Sequence, residues 1–176
     1  MRLFYSRHQK FILRTLTFAV WLLLSFISVG QTINSAYLQR PWKAMWIMVP
    51  NTNPTGYGVY YFRKDFELSV VPETFTIHVS ADNRYKLFVN EKLVSFGPAR
   101  GDALHWNFET IDLASFLQAG HNVIAAQVWN EGELHAEANS TVRTGFILQG
   151  DNEPAQILNT NNSWKCLQDS SYSPFR

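Results

Sequence analysis

Between Phe75 and Val89 apolar residues recur at every second position. Ile77, Val79 and Ala81 alternate with polar neighbours, and Tyr85, Leu87 and Val89 do the same after a break at Asp82-Asn83. A period of two sends successive side chains to opposite faces of an extended chain, so both runs read as half-buried strands. Asn and Asp tolerate the left-handed backbone that two-residue hairpin loops need. Asp82-Asn83 and Asn90-Glu91 are therefore predicted to be tight turns joining three short strands, the third at residues 93–97. Gly97-Pro98 and Arg100-Gly101-Asp102 then open a polar loop.

The same habit runs through the rest of the chain. Residues 59–68 place Tyr60, Phe62 and Phe66 on one face, and residues 122–129 (NVIAAQVW) form the most apolar strand, predicted to be central in its sheet. Residues 42–47 read as an edge strand, residues 105–110 as a further strand, and 144–149 and the segments around Ile157 and Trp164 as the last ones. The one helical hint is a short turn, capped by Asp112 and stopped at Gly120. Many short strands, frequent turn signals and little helix predict an all-β chain, an antiparallel β-sandwich or jelly roll. Cys166 has no second cysteine to pair with, and in SWKCL it reads as a small core residue.

Residues 1–30 stand apart. Arg2, Arg7, Lys10 and Arg14 precede the apolar run LTFAVWLLLSFISV and a small-x-small site at Ser28-Val29-Gly30, the pattern of a signal peptide. The run is shorter than the roughly 20 residues of a membrane anchor, so the expected product is exported, periplasmic or secreted, without a stable membrane span. The expected organisation is signal peptide 1–30, lead-in 31–41, sandwich 42–169 and the start of a linker at 170–176. Four of the 15 Lys and Arg and none of the 14 Asp and Glu fall in the leader, leaving a net charge of −3. A chain so charged lacks the basic stripe of a nucleic-acid binder.

The wording is more specific than the pattern. SADNRYKLFVNEK, GPARGD, HWNFETIDL and NVIAAQVWNEG closely resemble the N-terminal β-sandwich of bacterial α-L-rhamnosidases and related glycoside hydrolases, over roughly residues 44–169. The resemblance implies a galactose-binding-like jelly roll preceding a helical-barrel catalytic domain that this sequence does not contain. It also implies a carbohydrate-binding-like role toward a rhamnose-containing glycan. A calcium ion near Asp82 and Asn83 is implied in the same way, as some sandwiches of this kind bind L-rhamnose with calcium through an Asp-Asn pair. Glu91 departs from the pattern, since many relatives have Gly there. On this reading the sequence is a fragment, a truncated product or a free-standing module. A structural packing domain and a secreted lectin-like module are the alternatives.

Tracing strand directions brings three polar loops to one rim: Asp82 and Asn83; Arg100, Asp102, His105 and Trp106; Asn130 and Glu131. Asp, Asn and Arg suit paired hydroxyls, and an indole suits the apolar face of a sugar. The candidate carbohydrate-binding residues are thus Asp82, Asn83, Arg100, Asp102, Trp106, Asn130 and Glu131. Several have a structural counterpart reading: hairpin chemistry for Asp82-Asn83, an internal ion pair for Arg100 and Asp102, and a core position for Trp106, as for Trp129. Calcium takes six to eight oxygens, of which these residues supply some. No cofactor is required, and His105 has no second His or Cys at metal-site spacing. Asp102 and Glu131 could face each other as a carboxylate pair, but loops without an enclosing cleft make a poor glycosidase. The chain alone is expected to be inactive.

Overall fold

The computed structural model describes Arg14 and residues 36–174 apart from Ala138. The predicted leader and its cleavage site lie outside the described residues. Residues 35–176 form one compact unit. No helix among the described residues is long and apolar enough to cross a membrane.

Among the described residues, eight strands make two antiparallel sheets. These are β1 (Gly58–Leu68), β2 (Thr76–Asp82), β3 (Arg84–Val89), β4 (Lys92–Gly97), β5 (Glu109–Asp112), β6 (Gly120–Asn130), β7 (Gly145–Gly150) and β8 (Lys165–Asp169). One sheet has the order β4-β3-β6-β1-β8 and the other β5-β2-β7, so the apolar β6 is central as its sequence predicts. Its partners are β1, in register from Gly58↔Asn130 to Leu68↔Gly120, and β3.

The alternating residues supply the core. Tyr60, Phe62, Tyr85, Leu87, Ile124, Ala126 and Val128 face Ile77, Val79, Ala81, Phe146 and Leu148 across the sandwich, all nearly inaccessible to solvent. Phe146 sits at the centre, stacked on Phe62 with ring centroids 5.5 Å apart and packed against Tyr85 and Trp164. Burial pushes the Tyr85 phenol up, beyond the ordinary range of a tyrosine. Cys166 packs half-buried against this core.

Four expectations need correction. Asp82-Asn83 does not close a hairpin: β2 pairs with β5 and β7, and β3 pairs with β4 and β6, so the chain changes sheets there. The side chains that suggested a turn are spent on a neighbouring loop instead, as described below. Residues 42–47 touch β7 through a single bridge, Ile47↔Phe146, rather than as a strand. Their other bonds are irregular, with Ala44 N donating to Gln149 Oε1 and Met45 N to Thr160 O. Ile157 lies in a 3-10 turn (Pro154–Leu158), and the strand predicted at 105–110 begins only at Glu109.

The Asn90-Glu91 turn does close a hairpin. Val89 pairs with Lys92, and both turn residues are left-handed, with φ of 47° and 69°. It is a two-residue turn, no longer than one built on Gly, with Glu91 in the backbone region that Gly occupies freely. Asp112 acts as expected, its Oδ1 accepting from Ala114 N and Phe75 N around the 3-10 turn Ala114–Phe116.

The smaller sheet is covered on its outer side. His78 points outward from β2 yet is 1 % exposed, because Trp42 and Phe108 pack over its ring. The segment 42–47 and the loop before β5 therefore add a partial third layer, and Trp46 and Trp106 in these two segments meet at the end where the candidate residues lie.

Candidate functional site

Because every neighbouring strand pair is antiparallel, the connections fall alternately at the two ends of the sandwich. The β2–β3 crossing, the β4–β5 loop (98–108) and the β6–β7 loop (131–144) share one end. The last of these contributes most of the contacts.

Asp82 is 2 % exposed, and its carboxylate is fully engaged. Thr141 Oγ1 donates to Oδ1 at 2.6 Å, and the backbone N–H groups of Val142 and Arg143 donate to Oδ2 at 2.6 and 2.7 Å. Asn83 Nδ2 donates to Ser140 O at 3.1 Å. Asn130, fully buried, donates through Nδ2 to Thr141 Oγ1 and Thr144 Oγ1 and accepts from Gly132 N. Asn139 Nδ2 donates to Glu131 Oε2 at 3.0 Å. Asp82, Asn83, Asn130 and Glu131 thus converge on one loop, residues 139–144, and hold it against the sheet ends. Sequence reasoning missed that loop, although its run of Asn, Ser and Thr is the kind of partner that buried polar strand ends require.

The β4–β5 loop is arranged differently. Arg100 and Asp102 do not pair. Asp102 accepts from the backbone N–H groups of Leu104 and His105 at 2.8 Å and meets His105 Nδ1 at 3.0 Å. The His105 contact, with the Leu104 amide, holds the Asp102 carboxyl below its usual range. Arg100 lies exposed, lining a small pocket with Asn83, Asn107, Asn139 and Trp106. Asp102 and Glu131 are each held by partners within their own loops.

Trp106 occupies the middle of this end. Its ring meets Trp46 edge-on, centroids 6.3 Å apart and planes at 83°. The two indoles wall a cleft of ≈ 380 Å³ that also takes in Ile47, Asp82, Arg143 and Thr144. Trp106 Nε1 and Asn83 Oδ1 are both buried without a hydrogen-bond partner. Trp46 is half exposed, so the cleft presents an aromatic wall to solvent. Trp129, by contrast, is half-buried on β6 opposite Val59 and Arg84.

The donor set does not fit calcium as it stands. Both Asp82 oxygens already accept hydrogen bonds, leaving Asn83 Oδ1 as the buried oxygen of the pair still without a partner. No group of three or more His, Cys, Asp or Glu residues poised for a metal occurs among the described residues.

No family model and no curated protein matches the chain. Solved structures do. A GH78 family rhamnosidase of Bacillus sp. GL1 is similar at 26 % identity and a TM-score of 0.66, over 73 % of this chain and 14 % of that one. An α-L-rhamnosidase of Streptomyces avermitilis, in complex with L-rhamnose, is similar at 21 % identity and a TM-score of 0.52, over 75 % and 12 %. A Pleurotus ostreatus lectin shares the fold at 21 % identity and a TM-score of 0.50, over 76 % and 37 %. The chain spans a small part of the rhamnosidases it matches, about the share of one domain. In fold and in wording it resembles the N-terminal β-sandwich domain of bacterial α-L-rhamnosidase-type glycoside hydrolases.

Proposed function

We propose that the chain is a carbohydrate-binding-like domain of an exported α-L-rhamnosidase-type glycoside hydrolase, with hydrolysis left to a catalytic domain outside this sequence. One observation carries the reading: the cleft walled by Trp46 and Trp106 at the loop end of the sandwich. An indole face suits the apolar side of a pyranose, and the half-exposed Trp46 offers such a face to the cleft. A deoxy sugar such as L-rhamnose, with a methyl group and a polar edge, matches such a wall. The likeness to rhamnosidases supports this choice of sugar.

Isothermal titration with L-rhamnose and methyl α-L-rhamnoside tests it. Weak binding is expected, reduced about tenfold or more by Trp106→Ala. The absence of binding heat with either sugar would remove the ligand claim. Aryl rhamnosides should not be turned over by this chain.

The alternative, a packing domain without its own ligand, draws on the outer face of the larger sheet. Leu93, Phe96 and Leu167 are more than half exposed there, with Phe88, Val123 and Ala125 partly exposed between the two edges. Such a face suits a protein partner. Stable association with a rhamnosidase catalytic domain, lost in Phe96→Ser, would favour that reading.

A further inference from the structure

Four arginines line the clefts around Trp106. Arg143 belongs to the cleft described above, and Arg84 and Arg100 to the small pocket beside Asn83. Arg40 lines a further cleft of ≈ 430 Å³ with Trp42 and Phe108. Trp46 and Trp106 are walls of both large clefts, so the indole pair stands between two aromatic grooves, each with a guanidinium in its lining.

The charges here are one-sided. Against the four arginines the three linings contain one carboxylate, Asp82, whose oxygens are filled by Thr141 and two backbone amides. None of the four arginines forms an ion pair with a described carboxylate. Of the acidic groups in the adjoining loops, Asp102 meets His105, Glu109 accepts from Ala99 N and Glu131 from Asn139, while Glu133 and Glu137 are exposed outside the three linings. A guanidinium without a protein partner presents a planar fork to a carboxylate, and aromatic walls take the ring that carries it.

We infer that this end of the sandwich recognises an anionic glycan, an oligosaccharide bearing uronic-acid residues. Its carboxylates pair with Arg143 and Arg40, and its pyranose rings lie against Trp46 and Trp106. The inference rests on the sugar-binding reading and narrows it from sugars in general to acidic ones. A single-stranded nucleic acid would also combine stacking with charge, but it is charged at every nucleotide, whereas an oligosaccharide of alternating neutral and acidic sugars is not, and the net charge of −3 on residues 31–176 disfavours the denser polyanion.

The test is calorimetry on the chain with three probes: an oligosaccharide of alternating L-rhamnose and D-galacturonic acid, its methyl ester and an oligothymidylate. The free acid should bind about tenfold tighter than the ester. That advantage should shrink as NaCl rises from about 0.05 M to about 0.5 M. Arg143→Gln and Arg40→Gln should each reduce the advantage at unchanged melting temperature, while Arg63→Gln, on the outer face of the larger sheet, should not. Equal affinity for acid and ester would overturn the inference and leave the sugar reading standing. Binding of neither would overturn both, and tighter binding of the oligothymidylate than of the acid would also overturn it.

Discussion

Asp82 and Thr141, 59 residues apart in sequence, are joined by a 2.6 Å hydrogen bond that fastens the β6–β7 loop to the end of β2. Val142 and Arg143 add two backbone donors to the same carboxylate. Asp82→Ala would leave all three donors without their acceptor in a site that is almost sealed. The expected loss is about 2–4 kcal/mol in denaturant unfolding, with faster amide exchange at Val142 and Arg143. Asp82→Asn should cost less, since an amide oxygen can still accept. A loss below about 1 kcal/mol for the alanine variant would mean that water replaces the carboxylate easily.

The two residues of the β3–β4 turn should respond in opposite directions. Glu91 has φ 69° and is exposed, so Glu91→Gly is expected to stabilise by about 0.5–1 kcal/mol through relief of the left-handed backbone. Asn90 shares that geometry, but its side chain donates to Phe116 O and Asn122 Oδ1 and accepts from Val123 N. Asn90→Gly should therefore destabilise by about 1–3 kcal/mol despite the easier backbone. Chemical denaturation of both variants decides, and two changes of the same sign would contradict the account.

Stability should fall on mild acidification because of His78. Burial pulls its imidazole below its ordinary value of 6.5, with Asp151 at 3.9 Å opposing the shift. The unfolded chain thus holds the proton more readily than the folded one. This contribution is fully present above about pH 6.5 and is lost as the pH falls below it. His78→Gln should flatten the decline in melting temperature between about pH 7 and about pH 5. Asp102 acts in a separate window: its carboxyl is lowered by His105 and the Leu104 amide, so its effect appears only as the pH falls below 3.8. An unchanged slope in the His78 variant would assign the decline to other groups.

Calcium should leave the melting temperature unchanged to within about 1 °C, because the Asp82 oxygens it would need already accept three hydrogen bonds. A clear rise at millimolar calcium, reversed by a chelator, would show that the 139–144 loop yields its donors to make way for the ion.

The strands were legible because a period of two leaves a plain mark. Tyr60 and Phe62, Ile77 and Val79, and Tyr85 and Leu87 each point inward as their spacing predicts. The centrality of β6 followed from its apolar composition, and the Asn90-Glu91 hairpin from the tolerance of Asn for a left-handed backbone. The Asp82-Asn83 step was misread as a hairpin because a local sequence shows which residues can turn a chain, not which strand waits on the other side.

Local chemistry by itself determined the two-layer architecture and the gathering of polar groups at the connecting loops, since side-chain alternation and turn propensity act over a few residues. Only tertiary structure decided that Asp82 and Asn130 face inward to hold residues 139–144, while Trp46, Trp106 and the arginines face the clefts. The physical reason is competition for partners. A buried carboxylate or amide takes whatever donors the fold brings within about 3 Å, and those donors come from distant positions that no local pattern identifies.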